Sequence, residues 1–333
     1  MAAKVAINGM GRIGRATFKI VLESPELELV AINDLVSTEN LAYLLKYDTV
    51  YGRYPKKVES SPNGLIIDGK KYKVFNKKDP AELPWKDLGV DVVFECTGIF
   101  TDQQGLEKHI HAGAGHAILS APDKKGTLDT VVHGVNQPGK GTKAYSCASC
   151  TTNCITPVVE VMGRRVGIKK AIMTTIHAYT STQAIVDTPS SKFRRGRAAA
   201  ANFVPSSTGA AVATTKALPQ YKGKFDGVAI RGPVPIGSLA DLVFVTEKNT
   251  SRDEINAIFQ EESESDRYNG IMGVSNDEIV SSDIIMDPRA SIVDLTMTQV
   301  VDGDLVKIMS WYDNEWGYSN QMVREALAMI KQG

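Results

Sequence analysis

Cys150 is the residue in this chain best placed to do chemistry. It stands in Ser149-Cys150-Thr151-Thr152-Asn153-Cys154, followed by apolar Ile155, Val158, Val159 and Val161, a spacing that predicts a helix beginning at the thiol. The first turn of a helix offers unpaired N–H groups and a partial positive charge. Both favour a thiolate, and the thiolate is the nucleophile. A cysteine in such a pattern can also be an inert core residue, so the rest of the chain must supply partners. His177 is one. An apolar, β-branched strand over 171–176 delivers it at its exit, where it can act on the thiol as ion-pair partner and general acid/base; a hydrogen-bonded core histidine is the alternative. Cys154 falls on the same helical face as Cys150 and is expected to be a small buried side chain, because a disulfide between them would need unfavourable side-chain directions. Pro157 lies inside the helix and is expected to kink it. The crowding of Cys147, Cys150 and Cys154 suits a reducing compartment, and no further Cys or His stands nearby in the familiar zinc spacings.

A second constellation opens the chain. Val5-Ala6-Ile7 reads as a short buried strand and runs into Gly9, Gly11 and Gly14 in the G-x-G-x-x-G spacing. The first two glycines let the backbone turn and approach a pyrophosphate, and the third lets a helix pack close on the strand. A helix over 15–23 and a strand over 27–32 follow. Asp34 then sits about 20 residues beyond Gly14, where an acidic side chain can accept from ribose hydroxyls. A carboxylate there repels a 2′-phosphate and Leu35 offers none a donor, so NAD is expected over NADP. Thr97 and Ser120 end later strands and are placed to touch the nucleotide, although lone hydroxyls at strand ends can also be simple caps.

These side chains need a scaffold of two kinds. The first half alternates strands and helices, with an antiparallel excursion over 65–74 turning at Asp68-Gly69 and a buried strand over 91–95, as in an α/β domain. Cys96 is expected in the core, and His109, His111 and His116 as surface or structural residues. In the second half, strands over 291–300 and 305–311 pair as a hairpin, implying a mainly antiparallel, α+β domain. Between them, Lys192, Arg194, Arg195 and Arg197 precede Thr208-Gly209 in a long loop. An anion site suits that composition better than an RNA surface, because Lys plus Arg and Asp plus Glu balance at 38 each. Arg231, ending a strand over 228–230, is a second anion candidate. A helical face over 317–331 (Met322, Val323, Ala326, Leu327, Ile330) must dock, and the first domain is the expected place. With no signal peptide and no apolar run long enough to span a membrane, a cytoplasmic protein is expected.

Residues 6–15 (AINGMGRIGR), 148–154 (ASCTTNC) and 311–318 (WYDNEWGY) resemble the phosphorylating glyceraldehyde-3-phosphate dehydrogenases, and the similarity runs over essentially the whole chain. The resemblance implies a Rossmann-type doubly wound domain over 1–149, joined by the C-terminal helix over 315–333, and a catalytic domain over 150–314. It implies a homotetramer acting in glycolysis and gluconeogenesis on glyceraldehyde 3-phosphate, with inorganic phosphate and NAD, through a thiohemiacetal and a thioester. Cys150 then matches the nucleophile and His177 the residue that activates it. Arg12, Ile13, Asp34, Lys78, Ser120 and Asn314 match cofactor positions. Ser149, Thr151, Thr180, Thr182, Arg197, Thr208, Gly209 and Arg231 match positions around two anion sites. No metal, membrane or specific nucleic acid is implied. The sequence departs from the family at Cys147, where Asn is usual, and at Gly232 and Ile236 beside an anion site. Erythrose-4-phosphate dehydrogenase and a catalytically silent NAD- or RNA-binding homologue are the alternatives.

Overall fold

A computed structural model describes residues 2–332. The chain forms two compact units. One holds the chain up to Val131, Gln137–Ala148 and the chain from Met322 on; the other holds Val132–Asn136 and Ser149–Gln321.

In the first unit β1 (Ala3–Asn8) leads into α1 (Arg12–Glu23) and β2 (Leu27–Asn33), which pairs parallel with β1. The next helix, α2 (Thr38–Lys46), is capped by the Ser37 hydroxyl. The antiparallel excursion comprises β3 (Val58–Ser61), β4 (Gly64–Ile67) and β5 (Lys70–Phe75). Asp68 and Gly69, both at positive φ, make the predicted turn between β4 and β5. β6 (Val92–Glu95), α3 (Gln103–His111), β7 (His116–Leu119), β8 (Asp129–Thr130) and β9 (Ala144–Ser146) complete a nine-stranded sheet in the order β8-β9-β7-β6-β1-β2-β5-β4-β3. All four residues of β6 are buried, as an apolar strand covered on both faces must be. This is the doubly wound α/β architecture, and the ends of β1, β2 and β6 meet at one edge of it.

The second unit begins with α4 (Cys150–Arg165), then β10 (Ile168–Ala178), β11 (Val204–Ser207), α5 (Ala210–Ala217), β12 (Phe225–Gly232), β13 (Ser238–Thr246), α6 (Arg252–Glu264), β14 (Met272–Ser275), β15 (Ser291–Val301) and β16 (Leu305–Tyr312). Its seven-stranded sheet runs β11-β12-β10-β13-β16-β15-β14. Four of the six pairings are antiparallel; β10–β12 and β14–β15 are parallel. The sheet is therefore mixed, with the antiparallel pairs in the majority. One face packs Met173, Leu242, Phe244 and Ile308 against Val158, Met162 and Phe259 of the helices. On the other face Ile172 and Val228 are exposed. The helix α4 runs without a break through Pro157. The last helix, α7 (Trp316–Gln332), buries Met322, Val323 and Ala326, and in the first unit the Tyr145 hydroxyl reaches the Met329 sulfur at 3.6 Å.

Candidate active site

The cradle of the first unit is made mostly of backbone. Gly9 has φ +95°, and a Cβ there would lie 2.7 Å from Thr97 N. A Cβ on Gly14 would lie 1.9 Å from Gly9 O, so α1 approaches the turn as closely as two backbones can. A Cβ on Gly11 would meet nothing, leaving the helix N-terminus open to a ligand. Around this turn lies a cavity of about 430 Å³ lined by Gly9, Gly11, Asp34, Lys78 and Thr97 among others. The Asp34 carboxylate accepts from Met10 N (2.6 Å) and Val36 N (2.9 Å), which fixes it at the end of β2. A dinucleotide fits these residues: room for a pyrophosphate above Gly11 and a held acceptor for ribose.

A buried network supports that edge. Glu95, fully buried, accepts from Asn8 Nδ2 (2.5 Å), Thr97 N (2.7 Å), Thr97 Oγ1 (2.5 Å) and His109 Nε2 (3.0 Å). Trp85 Nε1 donates to His109 Nδ1 at 3.0 Å, which leaves the ring proton on Nε2 for Glu95. His109 is thus structural rather than a surface residue. The hydroxyl of Thr97 is turned to Glu95, so what this residue can offer the cavity is limited. Arg12 is paired with Asp48 at 2.5 Å and its guanidinium lies over the Tyr51 ring. Ser120 N donates to Glu95 O, and the Ser120 side chain acts on the Cys96 thiol, which burial pushes up to about 12.

In the second unit α4 begins at Cys150, capped by Ser149 Oγ accepting from Thr152 N (3.1 Å). Cys150 Sγ lies 3.4 Å from His177 Nε2. The other ring nitrogen, Nδ1, has two neighbours: Ala178 O at 2.7 Å, which can accept from it, and Arg231 Nη1 at 2.9 Å, which can donate to it. Either tautomer therefore has a partner, one presenting a lone pair to the sulfur and the other a proton. Arg231 also donates to Ala178 O at 3.1 Å. Burial pushes the Cys150 thiol up, against the pull of the Arg231 guanidinium and the first-turn N–H groups. Burial, with Arg231, lowers His177 to about 3. Burial thus opposes the charged pair that the helix terminus favours. Cys154, pushed up to about 12 by burial, is the small buried side chain its spacing predicts.

The anion candidates divide. Thr180 Oγ1 and Thr182 Oγ1 lie 2.9 Å apart, and Arg195 reaches Thr182 Oγ1 (3.4 Å) and Ser206 Oγ (3.0 and 3.1 Å). Arg231 lies by His177. Thr208 and Gly209 stand at the N-terminus of α5, where Thr208 Oγ1 accepts from Ala210 N. Arg197 is not directed here: its Nε donates to Asp187 at 2.8 Å, on the exposed side of the loop. Arg195, from the same cationic run, takes the place expected of it. Thr151 is buried and meets the Tyr312 hydroxyl (2.9 Å) rather than an open anion pocket. Ser238 Oγ, accepting from Ala178 N at 3.1 Å, lies 2.9 Å from Asn314 Oδ1 and holds that amide. Gly232 and Ile236 are both buried. Sequence reasoning singled out neither Arg195 nor Ser238 nor Tyr312. Only Arg195 left a signal, as one cation among four.

A doubly wound unit with a glycine-turn cradle, in one chain with a mixed-sheet unit carrying a histidine-paired thiol, defines a two-unit NAD-dependent dehydrogenase. Family comparison gives the particular group. Residues 3–103 match the glyceraldehyde 3-phosphate dehydrogenase NAD binding domain and residues 149–314 its C-terminal domain. The chain is 49% identical over 333 residues to glyceraldehyde-3-phosphate dehydrogenase of Thermotoga maritima, covering 99% of each chain. It is 48% identical over 327 residues to that of Streptomyces coelicolor, covering 97% of each, and 46% over 335 residues to that of Zymomonas mobilis, covering 99% of each. The chain belongs to the glyceraldehyde 3-phosphate dehydrogenase family.

Proposed function

We propose that this protein oxidises glyceraldehyde 3-phosphate to 1,3-bisphosphoglycerate, using NAD and inorganic phosphate, through Cys150. The observation that carries the reading is the 3.4 Å separation of Cys150 Sγ and His177 Nε2 at a helix N-terminus. The names of the relatives support the substrate and do not favour the erythrose alternative.

In this reading His177, with Nδ1–H on Ala178 O, takes the thiol proton as Sγ attacks the aldehyde carbon. The resulting thiohemiacetal oxygen is stabilised by the Cys150 N–H and the charged imidazole. NAD, where bound, would accept the hydride, whose departure would leave an acyl thioester on Sγ. Phosphate then attacks the thioester carbon, the sulfur departs, and His177 returns its proton. Gly9, Gly11, Ile13, Asp34, Lys78, Thr97, Ser120 and Arg12 would hold the dinucleotide, and Asn314, braced by Ser238, its nicotinamide amide. Thr180, Thr182, Arg195 and Arg231, with Ser149, Thr208 and Gly209, would hold the two phosphates.

The domains divide by role: the glycine-turn unit binds cofactor and the mixed-sheet unit does chemistry. A cytoplasmic location is supported by four free cysteines. A homotetramer is supported by exposed apolar residues of the second unit: Ile172 and Val228 on the open sheet face, and Ile185, Phe193 and Phe203 in the long loop. Light scattering would read the mass directly. The test of function is Cys150→Ser, assayed for phosphate-dependent NADH formation with glyceraldehyde 3-phosphate. Turnover should fall by about four orders of magnitude or more while NAD still binds. Retained turnover refutes the reading.

A further inference from the structure

Beneath the dinucleotide cradle lies a carboxylate that no step of the mechanism uses. Glu95 ends β6, and its side chain is fully buried. Its Oε2 accepts from Asn8 Nδ2 (2.5 Å) and His109 Nε2 (3.0 Å), and its Oε1 from Thr97 N (2.7 Å) and Thr97 Oγ1. Asn8, His109 and Trp85 are buried with it, and the donation from Trp85 Nε1 to His109 Nδ1 keeps the ring proton on Nε2. Four donors thus converge on two oxygens, the full acceptor capacity of an ionised carboxylate.

The partners of Glu95 lead to the walls of the cavity. Asn8 Oδ1 accepts from Asn33 Nδ2 at 2.7 Å. The Asn33 amide in turn pairs with the Lys77 main chain on both sides, Nδ2 to Lys77 O (2.9 Å) and Lys77 N to Oδ1 (2.8 Å), which fixes the loop that presents Lys78. On the other side Thr97 Oγ1 donates to Glu95 while accepting from Ile99 N at 3.1 Å, and so holds the turn through Gly98, where φ is +70°. Asn8, Asn33, Lys77, Lys78, Thr97 and Ile99 all line the cavity of about 430 Å³ that Asp34 also lines.

We propose that Glu95 is a positioning residue for the cofactor: one carboxylate, held by His109 from α3, sets the Lys77 loop and the Thr97 turn around the adenosine end of NAD and so sets NAD affinity. This rests on the glycine-turn unit being where the dinucleotide binds. The polarity of the network leaves no room for an amide. A glutamine at position 95 brings two protons of its own. With its oxygen toward Asn8 and His109, its NH2 faces the Thr97 N–H; with its oxygen toward Thr97, its NH2 faces two other donors. The Thr97 hydroxyl can turn and accept, but the main-chain N–H cannot. The turn through Gly98 must then move, or a buried donor stays unpaired.

The experiment is calorimetric titration of the whole protein with NAD and with ADP-ribose, which lacks the nicotinamide. Glu95→Gln should weaken both ligands by the same factor, about 10-fold, the scale of one buried donor left unpaired. Iodoacetamide should still label Cys150 at the wild-type rate. His109→Phe removes one of the four donors and the acceptor of Trp85, and should weaken both ligands about 3- to 10-fold. His109→Gln can donate to Glu95 and accept from Trp85, and should stay within about twofold of wild type. Wild-type affinities in Glu95→Gln overturn the proposal whatever its melting temperature, since a role in stability alone moves only the latter. A loss for NAD that ADP-ribose does not share overturns it as well. Should Glu95→Gln fail to fold, equal affinities for His109→Phe and His109→Gln overturn it. Asp34→Ala binding NAD as tightly as wild type would remove the cofactor site itself, and the proposal with it.

Discussion

The dinucleotide cradle and the thiol site solve opposite problems. The cradle must bring main chain close to a ligand, and it does so with residues that lack side chains: Gly9 at positive φ, Gly14 touching Gly9, Gly11 left open. The thiol site must bring side chains together out of solvent. It draws Cys150 from α4, His177 from β10, Arg231 from β12 and Tyr312 from β16. The first is local in sequence and tolerates no added atoms. The second is assembled across the sheet and depends on charge and proton position.

The largest effect should come from the assembled site. His177→Asn removes the proton acceptor of the thiol, and kcat should fall by about 10²- to 10⁴-fold, with NAD affinity unchanged. A loss under tenfold, measured as steady-state NADH formation, would break the claim that the pair works as a unit.

The cradle offers a sharper contrast between two of its glycines. At Gly14 the added Cβ would lie 1.9 Å from a backbone oxygen that has nowhere to go. Gly14→Ala should weaken NAD binding by about 10- to 100-fold and lower the melting temperature, in line with overpacking costs of ~1–3 kcal/mol. At Gly11 the Cβ meets only open space. Gly11→Ala should weaken NAD binding while leaving the melting temperature within a degree or two. Calorimetric titration with NAD and thermal unfolding separate the two. Equal melting temperatures for both variants would undo the distinction between a glycine for packing and one for ligand approach.

The same contrast explains what could be seen in the sequence. The glycine turn, Asp34, the strand exits and the helix at Cys150 were legible because each is fixed by neighbours within one or two elements. His177 was legible because a strand end is a position that periodicity can locate. Which cation of Lys192, Arg194, Arg195 and Arg197 faces the anion cluster was not, since a short turn at Phe193–Gly196 sends adjacent arginines to different sides. Ser238 and Tyr312 were invisible for another reason. They are a serine and a tyrosine within ordinary strand patterns, and only the register that sets Ser238 opposite Tyr312 reveals their partners. The force that opposes charge at the thiol was also hidden. Helix position argues for thiolate, whereas burial depth, a tertiary quantity, argues for thiol.

Burial gives the thiol site an acid sensitivity that can be measured. His177 titrates near 6.5 when exposed and near 3 in the folded chain, because burial and then Arg231 oppose its charging. Between those values the unfolded chain binds a proton that the folded chain refuses. Stability is therefore whole above pH 6.5 and declines as pH falls toward 3. At pH 5 the histidine should account for about 2 kcal/mol of lost stability. His177→Asn should recover that amount relative to wild type, as urea midpoints compared at pH 7.5 and pH 5. A pH-independent difference between the two proteins would mean the histidine is charged or solvated in the folded state.

The smallest effects test the division among the arginines. Arg195 engages Thr182 and Ser206 inside the anion cluster, and Arg195→Gln should raise the KM for phosphate by about 10-fold, the scale of one charge-assisted contact. Arg197 is paired with Asp187, and both side chains are more than half exposed. Exposed pairs of this kind contribute about 0–1 kcal/mol, so Arg197→Gln should change neither kcat nor KM by more than about twofold. The two substitutions remove the same charge from positions two residues apart, so any field effect is common to both. A phosphate KM that rises equally in both variants would mean the loop acts through net charge. A rise with Arg195 alone ties recognition to the guanidinium that touches the threonines.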